Sequence, residues 1–241
     1  MNNCKNCKEQ ISNDWDYCPI CGRPTKLRKI DKHYIIQEFV DFFSANKGLV
    51  YTIKNVLIRP GETVRQFITE DRYRLVKPVT FLFISSLIYA FVVQIFSITA
   101  IDYYQQPELL PIAERLINWT FEYPGYTNII MGLLMAFWLK ILFKKAGFNL
   151  FEIFILLCFV LGITNLFTSI VAIVEGVTNM KFLIFSLSFA SIYTLWAIGQ
   201  FFDRKKITSY LKAFLAYIFA NIVLGIVVAI VVIIEIVINV I

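Results

Sequence analysis

The pattern of polar and apolar positions changes character at Lys77. Beyond it, long charge-free apolar runs alternate with short polar joints; before it, apolar residues recur singly, three or four apart, among charges. Residues 78–99 form 22 consecutive positions without a charge. At about 1.5 Å per residue such a helix crosses a hydrocarbon core of ~30 Å. Pro78 falls in the first turn, where a helix tolerates proline. Further spans are expected at 126–143, 150–174, 182–202 and 213–234. The second is the shortest and carries Lys140, which can snorkel toward the end marked by Lys144 and Lys145. The pattern predicts an all-α membrane protein with a five-helix transmembrane bundle in residues 77–241.

Charge placement orients that bundle. The chain has 241 residues, 58% of them hydrophobic, and a net charge of +6. Of the 23 Lys and Arg, 14 lie at or before Lys77, and only Arg115 and Lys181 fall in the alternate joints. Positive charge confined to every second joint is the positive-inside pattern, which places the N-terminus in the cytosol and the C-terminus outside. Topology therefore accounts for the basic balance, and a nucleic-acid partner is not expected. The first residues, MNNCKNCK, carry no apolar run, so no cleavable signal peptide is expected. The joint at 101–125 is acidic (Asp102, Glu108, Glu114 and Glu122 against Arg115), as an outer loop should be. Within it Leu109, Ile112, Leu116 and Trp119 recur at helical spacing and predict a short surface helix. Tyr103, Tyr104, Trp119, Tyr123 and Tyr126 supply an interfacial aromatic belt.

Residues 1–27 carry the strongest motif, Cys4-Lys-Asn-Cys7 and Cys18-Pro-Ile-Cys21-Gly22. Two residues between cysteines let one tight turn aim both thiolates at a single tetrahedral ion. Gly22 stands where positive φ is wanted. Four sulfurs leave no open coordination position, so a zinc ion held by Cys4, Cys7, Cys18 and Cys21 would be structural, and its binding would fold the segment. Two disulfides are the competing reading; a reducing cytosol favours zinc. Cys158 lies alone inside the third span and reads as a small apolar residue. Lys5, Lys8, Arg23, Lys26, Arg28 and Lys29, with Trp15 and Tyr17, give the ribbon a basic surface fit for a protein partner or anionic lipid.

Residues 28–76 read as basic juxtamembrane helices. Tyr34, Ile35, Glu38, Phe39 and Phe42 stripe a first helix over 30–44. Leu49, Ile53, Val56 and Leu57 stripe a second, ended by Pro60-Gly61, and Val64, Phe67 and Ile68 a third. Flanking Lys47, Lys54, Arg59, Arg65, Arg72 and Arg74 suit helices lying among anionic headgroups, and that reading is preferred here to a small self-packed domain. The run Gly48-Leu-Val-Tyr51-Thr52-Ile-Lys54, then Leu57-Ile-Arg59-Pro60-Gly61-Glu62-Thr63-Val-Arg65, Tyr73-Arg74 and Lys77-Pro78 resembles a bacterial family of unknown function. Its members couple an N-terminal zinc ribbon to a membrane domain. The resemblance covers residues 1 to about 85 and implies zinc and the inner membrane, but no activity. One departure is Lys8, standing where a glycine usually follows the first cysteine pair.

Titratable chemistry inside the spans is sparse. The one histidine, His33, precedes them, and Glu152 and Glu175 sit at the ends of the third. Glu235 is expected at the outer interface. Small and polar residues at helical spacing are the clearer signal: Ser86, Ala90, Gln94 and Ser97 on the first span, Gly162, Asn165, Ser169 and Ala172 on the third. Ser186, Ala190 and Thr194 on the fourth, and Asn221, Gly225 and Ala229 on the fifth, continue it. This pattern suits close helix packing, with Asn165 and Asn221 expected to hydrogen-bond between helices. The function expected is a non-enzymatic inner-membrane scaffold or regulator whose ribbon docks a protein. The alternative is a channel or carrier through the polar seam, and an oligomer is compatible with both.

Overall fold

The computed structural model describes residues 2–12, 15–25, 48–98, 111–178 and 180–240. The helix expected at 30–44, with His33, lies outside the described residues, as do Lys26, Arg28, Lys29, Lys47, Asp102, Tyr103, Tyr104, Glu108 and Leu109. So do the side chains of Ile112, Glu114 and Glu235.

The described chain is helical apart from one small ribbon. Strands β1 (Asn2–Asn3) and β2 (Gln10–Ile11) pair antiparallel, Asn2 opposite Ile11. Helices α1 (Leu49–Ile58) and α2 (Pro60–Thr69) form a hairpin. The five long apolar helices follow: α3 (Pro78–Ile95), α5 (Pro124–Leu142), α6 (Leu150–Thr178), α7 (Leu183–Asp203) and α8 (Ile207–Val240), with the short α4 (Pro111–Glu122) before α5. Each matches an expected span. The fifth differs most, running six residues earlier and six later than 213–234, because helix hydrogen bonding continues through Lys212 and on to Val240.

α6 is the axis. It is buried continuously from residue 153 to residue 165, and α3, α5 and α7 pack around it. Close approach on the α3 side depends on Gly162, where a Cβ would lie 2.5 Å from the Phe81 ring. Successive spans run in opposite directions. Phe143 stacks on Phe202 at 3.7 Å, Phe148 meets Phe201 at 4.6 Å and the Lys212 ammonium lies over Phe143 at 5.1 Å, so the ends bearing the basic joints converge. Lys140 reaches toward that end as expected, its Nζ donating to the Phe148 carbonyl in the joint at 2.6 Å.

The hairpin corrects the headgroup reading of α1 and α2. Val56, Val64, Phe67 and Ile68 are buried in the same core as the spans, and Phe67 meets Phe159 edge-on at 5.4 Å. Phe81, near the start of α3, meets the same Phe159 ring at 5.8 Å. α6 begins at Leu150, so it overhangs the level of this contact by roughly 13 Å at 1.5 Å per residue. The apolar faces of the hairpin cover this overhang instead of lipid. Val50, Leu57 and Ile58 on the opposite side of α1 stay exposed beside Lys54 and Arg59.

A second correction concerns α8. Among its described side chains the buried ones are Ser209, Ala213, Ala216 and Ala220, a stripe in the half nearest the basic end. Asn221, Gly225 and Ala229, expected at a helix interface, are exposed, and nothing lies within 4 Å of where a Gly225 Cβ would be. The Asn221 amide instead donates to the Tyr217 carbonyl of its own helix at 2.8 Å, which satisfies it without a neighbour. Small residues line both faces of this helix; the alanine face won the contact.

Candidate metal centre and its seat on the helices

The cysteines sit on two turns with one hydrogen-bond pattern. Lys8 N–H donates to Cys4 O and Gly22 N–H to Cys18 O, both at 2.8 Å. Cys4 N–H donates to Glu9 O and Cys18 N–H to Arg23 O, both at 2.7 Å. Each turn needs a left-handed residue just after its second cysteine, and Gly22 (φ 67) and Lys8 (φ 63) both adopt it. A lysine there carries a steric cost that glycine does not. The departure noted in the sequence is therefore met by backbone strain, not by a different turn.

The turns bring four thiols together. Cys4 Sγ lies 3.6 Å from Cys21 Sγ, and Cys7 Sγ 3.6 Å from Cys18 Sγ; all four sulfurs fall within 4.8 Å of one another. A tetrahedral ion with bonds of about 2.3 Å has ligands about 3.8 Å apart, whereas a disulfide draws its sulfurs to about 2.05 Å. The donor set thus fits a thiophilic divalent cation. Its electrostatics are uneven. The Arg23 amide, with the Asn6 side chain, pulls the Cys21 thiol down to about 6. The amides of Cys7 and Asn6 also lower Cys4. Cys7 moves the other way: the Glu9 amide lowers it, but burial and the three neighbouring thiols push it up to about 12. Without a cation the cluster cannot ionise fully, because each new thiolate raises the cost of the next.

This unit is fastened to the hairpin. Arg23 pairs with Asp71 just beyond α2, Lys5 Nζ donates to the Thr69 carbonyl at 3.0 Å, and the Arg23 guanidinium lies over the Tyr73 ring. The hairpin is in turn fastened to the bundle. Arg65 Nε and an Arg65 terminal nitrogen donate to the Phe201 and Phe202 carbonyls at 2.6 and 2.5 Å, a cation capping the C-terminal end of α7. Tyr193 Oη donates to the Val56 carbonyl at 2.9 Å, and Thr52 Oγ1 accepts the Val76 N–H at 3.0 Å. A Cβ on Gly61 would come 2.5 Å from the Gln200 backbone carbon, so α2 touches the backbone of α7 itself. Arg65 was legible in the sequence only as one more basic residue. Its spacing four beyond the Pro60-Gly61 turn was the available signal, one turn from the close contact.

In the bundle the polar seam is real on three helices. The Asn128 amide donates to Asn165 Oδ1 at 3.0 Å, and the Asn165 amide to Ser86 Oγ at 2.9 Å, joining α5, α6 and α3. Asn165 faces other helices as expected, its side chain bonded to Ser86 and Asn128, while the Ser169 hydroxyl donates to its carbonyl at 2.7 Å. Gly162, Ser169 and Ala172 share its buried face, and Ser186 and Thr194 are buried on α7; Gln94 and Ser97 are exposed. At the far end Trp119, Tyr123 and Tyr126 cluster with centroids 5.9 to 6.4 Å apart, the described part of the aromatic belt. Cys158 is buried in α6, away from the cysteine cluster.

Residues 46–90, which contain α1, α2 and most of α3, match a family described as a protein of unknown function, DUF3667. No curated protein and no solved structure matches the chain.

Proposed function

We propose that this protein is a non-enzymatic scaffold or regulator of the bacterial inner membrane. In this reading its four-cysteine unit is a zinc ribbon on the cytosolic side that docks a protein partner. The observation that carries it is the continuous line of polar contacts from ribbon to bundle: Arg23 to Asp71, Lys5 to Thr69, and Arg65 of the same α2 to the end of α7. A folding event at the metal would thereby bias how α2 sits on α7. A channel is less well supported, because the polar side chains that join α3, α5 and α6, namely Ser86, Asn128 and Asn165, spend their hydrogen bonds on one another.

Two measurements on the purified full chain test this. Elemental analysis should find one zinc per chain, lost on Cys4→Ser or Cys21→Ser. Hydrogen exchange should then show residues 49–69 losing protection when a chelator strips the metal, with residues 153–165 unchanged. A chain that holds no zinc, or a hairpin equally protected with and without it, overturns the reading.

A further inference from the structure

The seam between the cysteine unit and the hairpin is hollow on both sides of the Arg23–Asp71 pair. One hollow, of about 560 Å³, opens toward Ser12 and Thr25. The other, of about 440 Å³, lies between the ribbon and the outer faces of α1 and α2. Lys5, Arg23, Glu70 and Asp71 border both; Lys8 and Arg74 border only the smaller. This asymmetry decides its chemistry. Arg23 is committed to Asp71 and Lys5 to the Thr69 carbonyl. Among the described residues neither Lys8 nor Arg74 is paired with a carboxylate. They approach the cleft from different elements, one from the ribbon and one from the lead-in to α3. The Arg74 guanidinium lies over the Tyr51 ring at 5.5 Å, a cation–π contact that holds it at the cleft wall. Gln66, exposed on α2, adds a neutral donor to the wall.

Four cations (Lys5, Lys8, Arg23 and Arg74) against two carboxylates (Glu70 and Asp71) leave this concave polar wall positive. That is what a phosphate group needs, with a guanidinium for directed hydrogen bonds and an ammonium for charge. We infer that the cleft bordered by Lys8, Arg74, Tyr51 and Gln66 binds a phosphate-bearing anion. The site rests on the seating of the cysteine unit on α2, not on which metal the unit holds. Two sources share this chemistry. A free phosphate would enter from the aqueous side. A phospholipid headgroup would come with acyl chains, for which the exposed Ile58, Val50 and Leu57 on the neighbouring strip of α1 offer a path.

The test uses the full-length protein in phosphatidylcholine nanodiscs. Inorganic phosphate is titrated calorimetrically, and phosphatidylglycerol introduced into the discs is followed by native mass spectrometry. Binding of either, weakened roughly tenfold or more by Arg74→Gln and again by Lys8→Asn, is expected from the loss of hydrogen bonds to a charged group. Asn is chosen at position 8 because it tolerates the left-handed backbone there. Gln66→Glu, which places a negative charge on the exposed wall, should weaken binding without touching the ribbon. Lys145→Gln, an exposed cation at the same end but outside the cleft, should leave it unchanged. Metal content and protection of residues 49–69, measured in parallel, show that each variant keeps its ribbon seated, so failure of this site and failure of the docking reading are told apart. Phosphate binding alone identifies a soluble ligand, and phosphatidylglycerol binding alone a lipid. Binding of neither anion, or binding that R74Q, K8N and Q66E leave intact, overturns the inference.

Discussion

Single residues carry the difference between what a position tolerates and what it needs. Lys8 and Gly22 close two turns with the same hydrogen bonds, yet only one has the residue that adopts a left-handed backbone freely. Lys8→Gly should therefore stabilise the metal-bound ribbon by up to about 1 kcal/mol. Competition with a chelator would read this as a severalfold rise in metal affinity, and an unchanged affinity would mean that the turn is not strained. Asn165 and Asn221 make a second pair. Both are asparagines deep in long helices, but Asn165 joins three helices while Asn221 bonds its own backbone and faces outward. Hydrogen bonds between helices in membranes contribute modestly, since the unfolded helices also find partners. Asn165→Leu should cost on the order of 1 kcal/mol in detergent unfolding, and Asn221→Leu nothing measurable. Equal losses at the two sites would contradict the burial seen here.

At the scale of elements, the α1–α2 hairpin is where fold and family match coincide. Gly61 is buried at the start of α2, and the Cβ it lacks would strike the Gln200 and Phe201 backbone, which has no rotamer with which to yield. Gly61→Ala should destabilise the hairpin by about 1–3 kcal/mol, the usual range for overpacking. Limited proteolysis should then cut near residues 58–60 before the spans are touched. Resistance equal to the parent chain would place the hairpin elsewhere. This element's helices, its Pro-Gly break and its apolar stripe at Val56, Val64, Phe67 and Ile68 are all legible in the sequence. What covers the stripe is not, because amphipathic periodicity shows that a face is buried but not whether lipid or protein buries it. The same limit explains α8, where Asn221-Gly225-Ala229 and Ala213-Ala216-Ala220 are equally plausible seams by spacing alone. The cysteine cluster was legible in full, since two CxxC turns define their own geometry. The cleft beside it was not, because Lys8 and Arg74 are 66 positions apart and meet only through the fold.

For the whole molecule, the strongest organising fact is that one end is basic. The ribbon, the hairpin, Lys140 in the last turn of α5 and the joints carrying Lys144, Lys145, Arg204, Lys205 and Lys206 gather there, while Arg115 and Lys181 belong to the opposite end. With five long apolar helices the described N- and C-terminal segments lie at opposite ends of the bundle. A basic end retained on the cytosolic side is favoured both by the positive-inside rule and by a four-thiol cluster that needs a reducing compartment to stay open to metal. Reporter fusions at Gln106 and after Ile241 should accordingly both report the outside, and a fusion at Lys145 the cytosol. Thiol labelling gives a check that needs no fusion: a membrane-impermeant maleimide should leave Cys4, Cys7, Cys18 and Cys21 unmodified in intact spheroplasts and react after lysis and chelation. Labelling in intact spheroplasts would invert the molecule, placing the ribbon outside and making disulfides, not zinc, its expected chemistry.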